Sequence, residues 1–144
     1  MKTTIPGLVI RETCITDLNS IYKLGLEEPL FSSMTNWNAA ALADAFCSTD
    51  LLAYTAARKK EVLGFIIGRI SGDSAEILWI LVKQKLRKRG IGSSLLDTFV
   101  NLSKKGGLMN FLVALLPDKT ETEAFFYKRN MIQRESFIRL SGKL

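Results

Sequence analysis

The chain has 144 residues, 47% of them hydrophobic, the size and apolarity of one compact domain with a single core. Its 20 Lys and Arg against 14 Asp and Glu give a formal charge of +6, which favours anionic partners; with no histidine, the familiar zinc sites and the Ser-His and Cys-His nucleophile pairs lose their usual members. Cys14 and Cys47 make neither a disulfide framework nor metal-ligand spacing, so no metal is expected, and chemistry is left to carboxylates, Tyr, Ser and the backbone.

No apolar run approaches the roughly 20 residues of a membrane helix, and MKTTIPGLVIRE is too short and too broken by Pro6 and Gly7 for a signal peptide. The expectation is a soluble cytoplasmic protein without a membrane partner.

In chain order, LVIRETCI (Leu8 to Ile15) predicts a first strand, and TDLNSIYKLGLEE a helix with Thr16 or Asp17 as N-cap, giving way at Pro29. EPLFSSMTNWN, rich in Ser, Asn and aromatics, predicts an irregular connecting or binding loop. NAAALADAFCS predicts a short helix capped by Asn38. LLAYTAAR and EVLGFIIGRI predict a hairpin across Lys59 and Lys60.

After the turn at SGDS, EILWILV (Glu76 to Val82) is almost continuously apolar, as a strand buried on both faces would be. The run KQKLRKR (Lys83 to Arg89) then packs five cations into seven residues, whereas elsewhere both signs are interleaved. From Gly90, the apolar positions Ile91, Leu95, Leu96, Phe99, Val100 and Leu102 make a helical stripe reaching Lys104 and Lys105, with Gly106 and Gly107 as the stop. MNFLVALL (Met109 to Leu116) predicts a second buried strand, completing a βαβ crossover with parallel strands. TETEAFFYKRN predicts a helix, and MIQRESFIRL one last alternating strand. The fold class is α/β (α+β): a mixed twisted sheet flanked by helices, spanning residues 1–144 as one domain.

The segment RKRGIGSSLL (Arg87 to Leu96) sits at the turn of that crossover. A helix N-terminus presents unpaired N–H groups and about half a unit of positive charge, so a glycine turn there holds phosphate, and adjacent cations add charge-assisted donors. Neither a Walker P-loop nor the Rossmann glycine pattern is complete here. A solvated basic turn would not call for two placed glycines. A basic nucleic-acid-binding module is the rival reading, yet no aromatic residues are interleaved between Lys83 and Arg89 for stacking.

Arg87-Lys88-Arg89-Gly90-Ile91-Gly92 matches [QR]-x-x-G-x-[GA], the signature of the GNAT N-acetyltransferases, and lies between a strand ending in Val82 and a helix carrying Leu95-Leu96. The chain resembles that family over essentially its whole length, including VIRETCITDLNSIYKL and EVLGFIIGRI. The resemblance implies acetyl-CoA as cosubstrate, its pyrophosphate on the amides of Arg87, Lys88, Arg89, Gly90, Ile91 and Gly92, and its pantetheine arm along Leu81 and Val82. It implies transfer of acetyl to a primary amine of a small molecule or a protein or peptide; a CoA-binding protein with little catalysis is the nearest alternative.

The resemblance also assigns roles. Glu76 stands where some members carry a glutamate that accepts the amine proton, against a plain role as a strand-entry residue facing solvent. The oxyanion donor would be the N–H of Leu81 or Val82. The family's fourth helix reads A-x-x-[FL]-Y-x-x-x-G-F; aligned without gaps from Gly107, Phe126 falls on its Tyr, Asn130 on its Gly and Met131 on its Phe. Tyr127, one position on and roughly 100° around the helix, is the candidate acid by a slipped register, or a packed aromatic. Glu27, Glu28, Phe31 and Trp37 occupy the region that shapes acceptor choice in similar enzymes. LGLEEPLFSSMTNWN is similar to enzymes that acetylate protein N-termini, yet Ala114 and Lys119 replace the glutamate and asparagine those carry. Exposed edge strands near the C-terminal end make a homodimer an expectation.

Overall fold

The structure, a computed structural model, describes residues 5–34, 36–114, 132–133 and 139–143. Its elements are β1 (Leu8–Glu12), α1 (Leu18–Leu26), α2 (Pro29–Met34), α3 (Ala39–Cys47), β2 (Leu51–Arg58), β3 (Glu61–Ser71), β4 (Ser74–Val82), α4 (Ile91–Lys105), β5 (Asn110–Ala114), β6 (Ile132–Gln133) and β7 (Arg139–Lys143). The strands form one sheet in the order β1-β2-β3-β4-β5-β7-β6. Among them β4 and β5 run parallel and every other neighbouring pair is antiparallel, so the sheet is mixed, as expected. The helix predicted over TETEAFFYKRN lies outside the described residues.

Each face of the sheet is covered by its own helices. The stripe read from α4 buries Ile91, Leu95, Leu96 and Phe99 against Ala56, Leu63, Ile66, Ala75, Ile77, Phe111 and Val113. On the other face, Ile21 and Leu24 of α1, Phe31 of α2, Trp37 just before α3 and Leu42 of α3 pack on Ala53, Val62, Phe65, Ile67 and Leu81. Each large apolar side chain so buried contributes about 1.5–3 kcal/mol, before conformational entropy is set against it. The β2–β3 turn falls at Lys59 and Lys60, with Lys59 left-handed at φ 58°.

Four expectations are corrected. The segment after Glu28 is not irregular: Pro29 opens α2, because its fixed φ suits a first helical turn, and the Glu28 carbonyl accepts the Ser32 amide at 3.0 Å. Asp17 does not cap α1 with its side chain. Its carboxylate turns back instead to the Cys14 amide (2.8 Å) and to Arg11 (2.7 and 3.0 Å), closing a 3-10 turn over Ile15–Asp17.

Phe31 and Trp37 are core residues rather than an open acceptor surface, 8% and 6% exposed. The Trp37 indole stacks on Phe65, meets Phe31 and Trp79 edge-on, and donates Nε1–H to the Tyr22 carbonyl at 3.0 Å. Finally, MIQRESFIRL does not form one strand: β6 and β7 pair antiparallel, Ile132 opposite Ser141 and Gln133 opposite Leu140. Alternation of apolar and polar residues is common to both arms of a hairpin and does not mark where the chain turns.

Candidate active site

Two departures from regular pairing in β4 make the site. Ile67 of β3 lies opposite Trp79 and Gly68 opposite Ile77, so Leu78 is a surplus residue, a β-bulge. Among the described residues the second is that parallel pairing with β5 runs from Ser74–Asn110 to Ile77–Val113, while β4 continues to Val82. The Lys83 amide donates to Leu63 on β3 at 2.9 Å, and hydrogen-bonding direction alternates along a strand, so the Val82 amide points to the β5 edge and that of Leu81 to β3. The Val82 carbonyl shows the same edge: it accepts from Arg87 Nε at 3.1 Å.

Glu76 lies within β4, opposite Arg69 of β3 and Leu112 of β5, one residue before the last β4–β5 pair. Its neighbours Ala75 and Ile77 face α4, so Glu76 faces the α1–α3 side, the side on which Trp79 and Leu81 pack beyond the bulge. Arg69 holds the carboxylate by two nitrogens on one oxygen, Nε to Oε1 at 3.1 Å and Nη2 to Oε1 at 2.9 Å. The Glu76 side chain is 16% exposed, which replaces the strand-entry residue facing solvent with a carboxylate anchored on the sheet. Arg69 escaped the sequence reading, yet the turn at SGDS could have found it: pairing counted outward from Ser71–Ser74 puts residue 69 opposite 76.

The loop between β4 and α4 forms a 3-10 turn at Gln84–Leu86 and then becomes left-handed twice, at Lys88 (φ 66°) and at Gly90 (φ 88°). Gly90 is the residue before α4. The Ser94 amide bonds back to the Gly90 carbonyl at 2.9 Å, so the amides of residues 90–93 are the ones α4 itself leaves unpaired at this terminus. Ile91 is buried in the α4 core and anchors the turn, Gly92 is half-buried, and Lys88 and Arg89 are exposed. The Arg87 side chain is already engaged: besides Val82 it approaches Glu28 Oε2 at 3.6 Å. Leu81, Val82 and residues 87–92 are thus gathered at one end of the parallel strand pair, with Glu76 further back along β4. Tyr127 and Phe126 lie outside the described residues.

A separate hollow of about 190 Å³ lies between α1 and the start of β3, lined by Ser20, Lys23, Leu24, Glu27, Lys60, Glu61, Val62 and Lys83. It takes in Glu27, one of the residues placed on the acceptor side from the sequence, and none of the catalytic or cofactor-binding candidates.

A parallel strand pair joined through a glycine turn and a helix is an α/β crossover that can seat an anion at the helix N-terminus. The family model described as the acetyltransferase (GNAT) family matches residues 17–131, and the chain belongs to that family, whose cosubstrate is acetyl-CoA. Solved structures agree on the fold. The ribosomal-protein-S18-alanine N-acetyltransferase of Escherichia coli is 15% identical, with a TM-score of 0.84 over 94% of this chain and 93% of that one. Ard1 of Thermoplasma volcanium is 21% identical, with a TM-score of 0.82 over 96% and 98%. The paiA N-acetyltransferase of Thermoplasma acidophilum, solved in complex with coenzyme A, is 19% identical, with a TM-score of 0.79 over 95% and 99%. No curated protein matches the sequence. Among the described residues no helix is long and apolar enough to cross a membrane.

Proposed function

We propose that the protein, working as a single domain in the cytoplasm, transfers acetyl from acetyl-CoA directly to a primary amine. The observation that carries this reading is the amides of residues 90–93, which α4 leaves unpaired, standing beside the end of β4, where the Val82 carbonyl faces away from β3. Amides of residues 87–92 grip the pyrophosphate, Lys88 and Arg89 add charge, and the pantetheine arm takes the place of a strand partner along Leu81 and Val82.

An ammonium is not a nucleophile, so Glu76 takes the acceptor's proton, directly or through a water. The neutral nitrogen attacks the thioester carbonyl, and the Val82 N–H supports the resulting oxyanion, since it is the amide aimed away from β3. The carbon–sulfur bond then breaks, releasing the amide product and CoA thiolate; Tyr127 protonates the sulfur, and the second proton shed by the nitrogen restores Tyr127. No covalent enzyme intermediate is required. The acceptor is a small amine or, as the name of the Escherichia coli neighbour suggests, a protein N-terminus. A homodimer through the sheet edge at β6 belongs to the same reading; a monomer in sedimentation at assay concentration would remove it.

A thermal-shift titration tests the donor site, because a ligand that binds only the folded state stabilises it by RT ln(1 + [L]/Kd), about 2.7 kcal/mol at one hundred times Kd. Acetyl-CoA raises Tm, dephospho-CoA raises it less, and duplex DNA leaves it unchanged. A shift with the duplex that collapses with salt, and none with acetyl-CoA, overturns the reading in favour of nucleic-acid binding. CoA binding without thiol release across an amine panel leaves a binding protein.

A further inference from the structure

Glu28 stands between α1 and α2, and its Oε2 lies 3.6 Å from Nη2 of Arg87 in the loop that follows β4. The same guanidinium donates Nε–H to the carbonyl of Val82 at 3.1 Å. Arg87 therefore joins three parts of the site: the end of β4, the turn offered to the donor's phosphates, and the junction of the helices on the acceptor side. The two contacts differ in kind. The Nε bond has hydrogen-bond length, whereas 3.6 Å is a contact held by charge alone. With side-chain exposures of 16% for Glu28 and 36% for Arg87, the pair is half-buried, and without a hydrogen bond of its own it yields to an anion that offers one.

We infer that Arg87 is a positioning residue for which Glu28 and an incoming phosphate compete, so that donor occupancy is communicated to the α1–α2 junction. The inference rests on the donor-site reading above. A diphosphate carries more charge than one carboxylate and accepts the planar guanidinium through two oxygens, so it draws the Nη end of Arg87 toward the turn at residues 88–92. The Nε bond to Val82 acts as the pivot. Glu28 is then released on the acceptor side, where a cationic amine is its natural partner.

The test is calorimetric titration of CoA into the wild type, Glu28→Gln, Arg87→Met and the double variant, with amide hydrogen exchange over residues 23–34 with and without CoA. Glu28→Gln removes the competitor, so CoA binds about two- to fivefold tighter at low salt, the span expected of a partly exposed ion pair, and the gain fades as salt rises. A merely structural role for Glu28 would weaken binding instead. Arg87→Met weakens CoA several-fold, and adding Glu28→Gln to it changes nothing further. CoA raises exchange around residue 28 in the wild type and not in Glu28→Gln. Unchanged or weaker CoA binding by Glu28→Gln, with the wild type binding normally, overturns the coupling alone. A wild type that binds no CoA overturns the donor site and the coupling with it.

Discussion

Arg69 and Glu76 face each other across β3 and β4, and both guanidinium contacts, at 2.9 and 3.1 Å, fall on the same carboxylate oxygen. That geometry orients the carboxylate and does not merely neutralise it. Glu76→Gln keeps the shape and removes the base, and is expected to lower kcat by about 10²-fold or more while CoA affinity stays as it was. Arg69→Met frees the carboxylate to rotate and costs roughly tenfold in kcat. Thiol release against a reactive amine measures both; a Glu76→Gln enzyme within threefold of wild type moves the base elsewhere.

Gly90 precedes α4 with φ 88°, a region that costs an L-residue with a Cβ about 1–2 kcal/mol. Gly90→Ala is expected to lower Tm and to weaken CoA at least tenfold, because relief of the strain rotates the amides at the mouth of α4. Gly90→Asn, which tolerates the left-handed region, retains most of the stability. Equal CoA affinity in all three proteins would mean that the amides of this turn do not hold the donor.

Tyr127→Phe bears on the leaving group. A thiolate departs tolerably unaided, so the expected loss in kcat is several-fold rather than complete, and smaller than that of Glu76→Gln. Phe126→Tyr on a Tyr127→Phe background restores the family's register and is expected to recover rate if the helix there follows the family. Solvent isotope effects on kcat would report whether a proton moves with sulfur departure.

Gly25 lies beneath Trp37, and a Cβ there would fall on the indole itself, against Nε1 and the adjoining ring carbons. The indole cannot yield easily, since it is packed between α1, Phe65 and Trp79 and tied to Tyr22. Gly25→Ala is expected to cost about 1–3 kcal/mol, the usual range for overpacking, and to change tryptophan fluorescence. Unaltered Tm and emission would show that α1 can move aside.

The Arg11–Asp17 pair gives a pH prediction. The hydrogen bonds from Arg11 hold the Asp17 carboxyl below its ordinary value of 3.8, helped by the Cys14 amide and opposed by burial. A carboxyl lowered in the folded state stabilises fully above its unfolded pKa and loses that contribution as pH falls through the lower folded one. Asp17→Asn should therefore cost about 1–2 kcal/mol at neutral pH, toward the low end for charged hydrogen bonds because Arg11 is 37% exposed. The Tm gap to wild type should narrow below about pH 4. A gap independent of pH would assign the effect to packing.

Much of the fold was legible because periodicity and caps agreed over long segments. The α4 stripe with its glycine stop, the Asn38 cap, which accepts the Ala41 amide at 2.8 Å, and the β2–β3 hairpin each rest on two concurring signals. The short elements were not legible. Six residues of α2 carry too few turns for a period to show, and the loop-like composition of EPLFSSMTNWN masked the one cue, Pro at a first helical position.

In the candidate site, the turn at residues 87–92 was readable because glycine and charge at a helix start have a local physical meaning. The Arg87–Glu28 pair was not, since partners 59 positions apart meet only when strands and loops are placed, whereas the Arg69–Glu76 pair, 7 apart, lies within reach of a count outward from the turn at SGDS. Trp37 was read only as part of the acceptor region, and its core role depends on Gly25, twelve positions earlier, leaving room for the indole.

The surplus residue Leu78 has a consequence for which way the two halves of β4 face. Ala75 and Ile77 serve one core with odd numbers, and beyond Leu78 that core is served by Ile80 and Val82, with even ones. Deleting Leu78 would leave every side chain on its present face, whereas drawing it into the ladder as an ordinary residue would turn the far half of the strand over. Trp79 and Leu81 would be driven into the layer beneath α4, and the carbonyl and amide of Val82 would swing from the edge away from β3 back toward it. A shift of one position within Ile77–Val82 thus decides which core each of these side chains serves and which neighbour the Val82 amide faces.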